Sequence, residues 1–160
     1  MKTLIVFGTK SGTTEKCAHK IQSAMASAEA DVVDIRKLKN GDLAAYDTVV
    51  LGTSVYMGRI NGKLRRFLTQ NAQALMGKKL HLFVCSLAQG EEGVAELHKQ
   101  ISDDLFRHAI QVTHLGCEAN YERLNPFYRS IMKKIVAEQK PAMGLHEQEI
   151  EAFAQKVVAA

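Results

Sequence analysis

A loop rich in glycine and hydroxyl side chains follows the first apolar run of the chain. It reads Gly8-Thr9-Lys10-Ser11-Gly12-Thr13-Thr14, and a segment of helical period begins directly behind it. Where a strand leads into a helix, the helix presents unpaired backbone N–H groups and the positive end of its dipole. The hydroxyls of the loop add donors, and Gly12 lets the backbone turn or approach a ligand without a Cβ. This combination predicts a site for a phosphate monoester.

Two other phosphate loops are excluded by spacing. The dinucleotide-binding pattern Gly-x-Gly-x-x-Gly is absent, since this loop contains only Gly8 and Gly12. The loop that binds nucleoside triphosphates requires Lys-Ser/Thr after its last glycine, whereas Gly12 is followed by Thr13. One plainer alternative stays open. In it, the hydroxyls only cap the helix and the glycine only makes the turn.

Short apolar runs before and after this loop predict the strands that would position it. Leu4–Phe7, Val32–Ile35, Val49–Leu51 and Leu80–Cys85 are almost continuously apolar, as in parallel strands that are covered on both faces. The run Ile110–Cys117 instead alternates apolar and polar residues, which predicts an edge strand. A parallel sheet brings the carboxyl ends of these strands, and therefore the loops that follow them, to one edge.

Segments of helical period separate the strands. The first carries an apolar stripe at Cys17, Ile21, Ala24, Met25 and Ala28. The others are marked by Leu64–Leu75 with Asn61 as a cap, by Val94–Leu105, by Phe127, Ile131 and Ile135 behind Asn125-Pro126, and by Ile150–Val157. Alternating strands and helices predict an α/β fold. No linker or internal repeat is visible, so residues 1–160 are predicted to form a single domain.

The stretch Thr9–Thr14 resembles the Thr/Ser-x-Thr-Gly-x-Thr phosphate loop of the flavodoxin family, with Ser11 in place of the third-position threonine. By analogy with flavodoxins, this resemblance implies a doubly wound five-stranded parallel sheet of order 2-1-3-4-5 with helices on both faces. It also implies that FMN lies at the switch point beside strands one and three. Flavin would then supply the redox chemistry, which the protein tunes and orients.

The resemblance further implies which loops hold the flavin. The loop after strand three corresponds to the one that covers a face of the isoalloxazine, and Tyr56 is the stacking candidate. The loop after strand four corresponds to the second flavin-facing loop but has no aromatic residue, which leaves one ring face open to a substrate or partner. The predicted FMN-binding residues are Thr9, Lys10, Ser11, Gly12, Thr13, Thr14, Thr53, Ser54, Val55, Tyr56, Met57, Gly58, Ser86, Leu87 and Ala88. Tyr56 as an ordinary exposed loop aromatic stays an alternative.

The remaining chemistry-bearing residues point to no second centre. Cys17, Cys85 and Cys117 form no Cys-x-x-Cys pair, and a reduced, buried role is expected for them even though Cys85 and Cys117 end strands near the predicted flavin. The six histidines have no metal-ligand spacing, so no metal is expected, and no catalytic side chain can be assigned. With no run near the ~20 apolar residues of a membrane span, a cytoplasmic protein is expected.

The formal net charge of +4 predicts attraction to anionic partners, although it is too modest to indicate nucleic-acid binding. The basic residues of 123–140 accompany apolar and aromatic ones, and they are Arg123, Arg129, Lys133, Lys134 and Lys140. Such a segment is either a solvated helix face or a cationic surface for a dicarboxylate or for lipid headgroups at the inner face of the membrane.

A closer resemblance covers most of the chain. Residues 1–14, 52–59, 83–87 and 116–134 look like the flavodoxin-domain group that contains the menaquinone-dependent protoporphyrinogen oxidases. This implies FMN-mediated oxidation of protoporphyrinogen IX, with electrons passed to a quinone. The loop after strand four, Ala88-Gln89-Gly90-Glu91-Glu92, is shorter and more acidic than in that group. An electron-transfer flavodoxin without enzymatic activity and a flavin-free interaction module are the alternatives.

Overall fold

The computed structural model describes residues 1–26, 28–38 and 43–160 of the chain. Five parallel strands form the central sheet in the order β2-β1-β3-β4-β5. They are β1 (Lys2–Gly8), β2 (Glu29–Asp34), β3 (Thr48–Ser54), β4 (Lys79–Cys85) and β5 (Gln111–His114). The predicted strand order is confirmed, and β1 lies between β2 and β3, where the chain switches direction across the sheet.

Helices cover both faces of the sheet, as predicted. They are α1 (Thr13–Ala24), α2 (Gly62–Gln70), α3 (Ala72–Met76), α4 (Gly90–His98), α5 (Asp103–His108), α6 (Pro126–Gln139) and α7 (Glu147–Ala159). Two 3-10 turns, Leu43–Ala45 and Tyr121–Arg123, and a pair of two-residue strands, β6 (Gly116–Cys117) and β7 (Gly144–Leu145), complete the described elements.

Alternate residues of each strand supply two separate cores. Ile5 and Phe7 of β1 pack with α1 and α7, whose Ile21 and Phe153 are buried against the sheet. Their neighbours Leu4 and Val6 point to the other face, where α2 to α5 pack. Because both faces of β1 are buried, its sequence is continuously apolar rather than alternating.

A close approach fixes one glycine of β3. A Cβ built on Gly52 would overlap the buried ring of Phe83 on β4. Any larger residue at this position would push the two central strands apart at the end that leads into the loop after β3.

Several element boundaries differ from the sequence prediction. The run Leu64–Leu75 is two helices that meet at Asn71, and the run Val94–Leu105 is likewise broken into α4 and α5. At the second break Ser102 caps α5 by accepting a hydrogen bond from the Leu105 amide at 3.4 Å. A continuous apolar period does not reveal such a break, because the short helices on either side keep facing the same core.

The predicted fifth strand Ile110–Cys117 is also wrong in extent. β5 ends at His114, and Gly116 and Cys117 leave the sheet to pair antiparallel with β7. Gly116 has a φ of 101° and lies against the Gly144 backbone, an approach that a side chain would prevent. In the first helix, Ala24 is exposed and Ala28 lies beyond the helix end, so the predicted apolar stripe is carried by Cys17, Ile21 and Met25.

Candidate functional site

The loop between β1 and α1 is built around Gly12. This residue is the N-cap of α1 with a φ of 94°, in the left-handed region that glycine adopts without strain. Its amide donates a hydrogen bond to Thr9 Oγ1 at 2.8 Å, which closes the turn. Within the described part of the chain, no side chain makes a capping hydrogen bond to the start of α1. The amides at the start of this helix therefore have no side-chain acceptor from the cap position, which argues against the interpretation that the hydroxyls serve as caps.

The other hydroxyls of the loop are buried with incomplete hydrogen bonding. Thr14 Oγ1 is buried without a geometrically acceptable hydrogen-bond partner among the described residues, although it lies close enough to the Cys85 thiol to lower the pKa of that thiol. Ser11 Oγ lies 3.4 Å from Thr13 Oγ1, which also donates a long bond of 3.3 Å to the Glu118 carbonyl. Buried polar groups are normally paired, so these hydroxyls fit a ligand that supplies acceptor oxygens.

The loop after β3 forms a tight turn. Tyr56 and Arg59 exchange two backbone hydrogen bonds of 2.9 Å, and Met57 and Gly58 between them have φ values of 50° and 71°. Two positive φ values in succession orient the turn so that the Met57 side chain is exposed. Tyr56 is half-buried rather than fully exposed, and its pKa is raised by burial, with a smaller opposite effect from the Ser11 hydroxyl.

The loop after β4 is held in place by a hydrogen bond within the loop and by contacts with His114 of β5. Ser86 Oγ donates to the Ala88 carbonyl at 2.8 Å, and the His114 ring contacts both Ser86 O through Nε2 at 3.0 Å and the Gly90 amide through Nδ1 at 3.4 Å. Burial lowers the pKa of His114, which favours the neutral ring that these contacts require. The backbone of this loop is therefore fixed relative to β5.

These three loops border one cavity of about 420 Å³ at the carboxyl edge of the sheet. The predicted site residues that line it are Ser11, Thr13, Ser54, Val55, Tyr56, Met57, Gly58, Ser86, Leu87 and Ala88. Five predicted site residues do not line it: Thr9, Lys10 and Gly12 of the loop after β1, Thr14 in the first turn of α1, and Thr53 near the end of β3. A cavity of this size and mixed character is typical of cofactor sites.

Helix α6 supplies a wall that sequence reasoning did not predict. Ile131, Met132 and Ile135 line the cavity, with Tyr128 and Gln139 at the two ends of this face. The open flavin face expected from the missing aromatic residue stays a prediction, and α6 lines the same cavity as the loop after β4. Phe127 was predicted to share the apolar face but is 65% exposed. The i, i+4 spacing of Ile131 and Ile135 was visible in the sequence, but nothing in it indicates that this face points to a cavity.

A cluster of Lys10, Tyr56 and Tyr128 joins the phosphate loop, the loop after β3 and α6. Lys10 Nζ lies 3.8 Å from the centroid of the Tyr128 ring and 5.6 Å from that of Tyr56. The two rings pack edge to face at 6.2 Å. The ammonium lowers the pKa of the Tyr128 phenol. These contacts fix the first turn of α6 at the mouth of the cavity.

The cysteines are thiols in apolar surroundings. Cys85 and Cys117 line the cavity, and Cys85 Sγ lies 3.6 Å from Cys17 Sγ. The hydrogen bond to Cys17 and burial raise the pKa of Cys85, and burial raises the pKa of Cys117 to about 11. Neither is a thiolate at neutral pH, so the structure agrees with the prediction that they are small buried side chains.

Two carboxylates that were not predicted, Glu92 and Glu96 of α4, border the cavity. Burial raises the pKa of Glu96, and the nearby Glu92 adds to this effect while Lys99 opposes it. The acidic character of this rim was visible as Glu91-Glu92 in the sequence, but the inward position of Glu96 depends on the register of α4. Among residues 1–26, 28–38 and 43–160, no group of histidine, cysteine and acidic residues could hold a metal ion.

Comparison with known proteins identifies the family. Residues 4–143 match the model of the flavodoxin domain family, and the chain belongs to that family. Flavodoxin domains bind FMN, and the unpartnered Thr14 hydroxyl, the uncapped α1 and the adjoining cavity fit a phosphate-bearing flavin.

Two curated relatives from Escherichia coli K12 match parts of the chain. Protoporphyrinogen IX dehydrogenase [quinone] is 31% identical over 77 residues, which are 47% of this chain and 42% of that protein. Flavodoxin 1 is 46% identical over 50 residues, which are 31% of this chain and 28% of that protein. The matches thus span less than half the length of either relative.

Among solved structures, the two-electron reduced flavodoxin of Megasphaera elsdenii superposes with a TM-score of 0.65 at 20% identity, covering 99% of each chain. A flavodoxin from the Archaea gives a TM-score of 0.61 at 14% identity, covering 99% of this chain and 97% of that one. At these identities the likeness establishes the flavodoxin fold and no more.

Proposed function

We propose that this flavodoxin-domain protein is an FMN-dependent oxidoreductase that acts on a small-molecule donor. The observation that carries the proposal is the apolar face of α6, which lines the cavity together with the loops after β3 and β4. A helix in this position encloses the redox centre. An enclosed centre suits a small-molecule donor better than a partner protein, which would dock at the exposed edge of a flavin.

In this proposal the three loops bind and orient the cofactor. The hydroxyls and amides of residues 9–14 hold the phosphate, the half-buried Tyr56 ring stacks on one face of the flavin, and Ile131 and Ile135 contact the other. The loop after β4 contributes backbone groups to the polar edge of the ring. Bound FMN supplies the acceptance and release of one or two electrons.

Glu96 is the side chain best suited to take up a proton from the donor. Its carboxyl group borders the cavity, and its raised pKa makes it a better proton acceptor than an ordinary surface glutamate. The neutral Cys85 and Cys117 thiols keep the rest of the cavity floor apolar. The apolar wall also excludes water from the side where α6 lies.

We further propose protoporphyrinogen IX as the donor and a quinone as the acceptor. Support comes from the match to protoporphyrinogen IX dehydrogenase [quinone] and from the net charge of +4, which suits a substrate with two carboxylates. The basic groups near the mouth are Lys10 and Arg59, whereas Glu92 on the opposite rim would repel a carboxylate. The substrate is therefore expected to approach from the Lys10 side.

An anaerobic assay tests this function. FMN-loaded protein is mixed with protoporphyrinogen IX and a water-soluble quinone, and porphyrin fluorescence is followed. The expected result is porphyrin formation that requires both FMN and the quinone, and that slows at least tenfold when Lys10 is changed to Glu. Porphyrin formation at the rate of free FMN alone would contradict the proposal.

An electron-transfer flavodoxin is the second candidate, favoured by the side chain of Met57, which lines the cavity, is 64% exposed and precedes Arg59 by two residues. An exposed apolar residue with a neighbouring cation suits transient docking of an acidic redox protein. Reduction of the FMN-loaded protein by a flavodoxin reductase, together with failure to oxidise the porphyrinogen, would favour this candidate.

A further inference from the structure

An arginine from outside the phosphate loop lies directly against it. A Cβ built on Gly12 would overlap the guanidinium of Arg123, so the two groups are in van der Waals contact. Both terminal nitrogens of Arg123 lie 3.2 Å from Glu15 Oε2 in the first turn of α1. The side chain is 47% exposed, which leaves one side of the guanidinium open to solvent.

The segment that carries Arg123 is fixed to the same turn by other contacts. Thr13 Oγ1 donates to the Glu118 carbonyl, and Lys16 Nζ forms an ion pair of 2.9 Å with Glu118 Oε1. Leu124, which follows Arg123, is buried. The guanidinium is thus held in place before any ligand arrives, so little conformational entropy is lost when it is used.

The position of this cation is electrostatically unfavourable without an anion. The first turn of a helix carries the positive end of the helix dipole, which repels a guanidinium and attracts an acid. Glu15 offsets one positive charge. The first amides of α1 still have no side-chain acceptor from the cap position, and the buried Thr14 hydroxyl has no hydrogen-bond partner among the described residues. A phosphate monoester, with a charge of about −1.5 to −2, would supply the negative charge and the acceptor oxygens that this helix start lacks.

We infer that Arg123 is an additional phosphate-binding residue, held at the rim of the loop by Glu15, and that it favours flavins carrying a phosphate monoester. This inference rests on the proposed FMN site and adds a charged ligand to a loop whose own side chains toward the phosphate are neutral hydroxyls. Arginine suits the role because its planar donors can serve Glu15 and a phosphate oxygen at once.

A comparison of two flavins tests the inference. Dissociation constants for FMN and riboflavin are measured by flavin-fluorescence quenching for the wild type, Arg123→Gln and Arg123→Lys. Loss of a charged hydrogen bond is expected to weaken FMN ten- to a hundredfold in Arg123→Gln and less in Arg123→Lys. Riboflavin, which lacks the phosphate, should bind all three proteins equally. The FMN difference between wild type and Arg123→Gln should also shrink as salt is added.

Lys20→Gln is the matched control, since it removes an ion pair of the same helix α1, with Glu147, that does not involve the segment of Arg123. It should change FMN binding less than threefold, and melting curves of each variant monitor folding. Equal weakening of FMN and riboflavin in Arg123→Gln, or unchanged FMN binding, would overturn the inference and leave the FMN site intact. Binding of neither flavin by the wild type would overturn the proposed function and the inference with it.

Discussion

Individual residues determine what the phosphate loop can bind. Thr13 is buried, and the contacts that its hydroxyl makes with other described residues are long, 3.3 Å to the Glu118 carbonyl and 3.4 Å to Ser11. Shorter, charge-assisted bonds are available to it once a phosphate oxygen is nearby. A hydroxyl in such a state contributes more to ligand affinity than to the stability of the free protein.

Thr13→Val is therefore expected to weaken FMN binding by about 1.5–3 kcal/mol, roughly ten- to a hundredfold, because a charged hydrogen bond is lost while the side-chain shape is kept. Riboflavin affinity should hardly change. Fluorescence titration measures both, and Thr69→Val on the exposed surface of α2 serves as the control. Unchanged FMN affinity would remove Thr13 from the site.

A buried histidine makes stability depend on pH. His81 is fully buried, and burial lowers its pKa to about 4. Its Nδ1 receives a hydrogen bond from the Gln111 side chain, while Nε2 has no partner among the described residues. The folded protein thus holds the neutral ring, whereas the unfolded chain takes up a proton near pH 6.5.

Because the unfolded state binds the extra proton, stability is fully present above about pH 6.5 and falls as pH decreases toward 4, by roughly 3 kcal/mol at the most. His114, whose pKa is also lowered, adds to the loss. Urea unfolding of His81→Gln between pH 7 and 4.5 should show a shallower decline than the wild type, and the exposed His19→Gln should not. A parallel decline in His81→Gln would contradict this account.

At the scale of elements, the sequence was most informative where a residue type has one characteristic structural role, such as capping the start of a helix. Asn61 was predicted to cap α2 and does so, accepting from the Lys63 and Leu64 amides at 3.0 and 3.2 Å. Asn125 and Pro126 likewise start α6, as predicted. The breaks at Asn71 and Ser102 could not be predicted, since the apolar period continues across them.

The placement of α6 is the main feature of the site that sequence reasoning missed. Its apolar face reads like any helix that packs on a core, and only tertiary contacts turn it toward the cavity. If α6 covers the isoalloxazine, a charge at Ile135 would lie against the ring without a partner. Ile135→Glu is expected to weaken FMN and riboflavin alike, by at least tenfold, in the same fluorescence titration.

Ala137→Glu on the exposed side of α6 provides the control and should leave both affinities unchanged. This pattern differs from that of Thr13→Val, which affects only the phosphorylated flavin. Full riboflavin affinity in Ile135→Glu would show that α6 does not contact the ring.

The outer face of α6 carries the cationic surface predicted for anionic partners. Lys133 Nζ lies 5.5 Å from the centroid of the Tyr121 ring, and Lys134 forms a weak i, i+4 pair with Glu138. Arg129 differs, because it donates to the carbonyls of Tyr121 and Leu124 and so anchors the helix start. The surface available to a partner is therefore smaller than the sequence indicated.

Changing both Lys133 and Lys134 to Glu is expected to reduce co-sedimentation with vesicles of anionic lipid, and added salt should reduce wild-type binding in the same way. Vesicles of neutral lipid are the control. Absence of wild-type binding to anionic vesicles at low salt would dismiss the proposed membrane contact. No described helix is long and apolar enough to cross a bilayer.

For the whole molecule, the strand order and the helices on both faces follow from patterns that were readable in advance. The strands β1, β3 and β4 are buried on both sides because two helical layers cover them, and the right-handed crossovers leave few topologies to consider. The phosphate loop then falls at the switch point between β1 and β3. The apolar pattern of the sequence does not reveal that residues 116–145 return across the carboxyl edge of the sheet and bring Arg123 and α6 to the site.

The central claim is that the cavity beside Gly12 binds FMN, and a single titration tests it most directly. Purified protein, freed of bound flavin, is added to FMN while flavin fluorescence and visible absorbance are recorded. The account predicts saturable quenching at one FMN per chain, a structured shift of the visible bands, and weaker binding of riboflavin. A protein that stays colourless and leaves FMN fluorescence unchanged at ~100 μM would contradict it. A Kd of ~100 μM corresponds to a binding free energy of about −5.5 kcal/mol, so binding would then be weaker than that value.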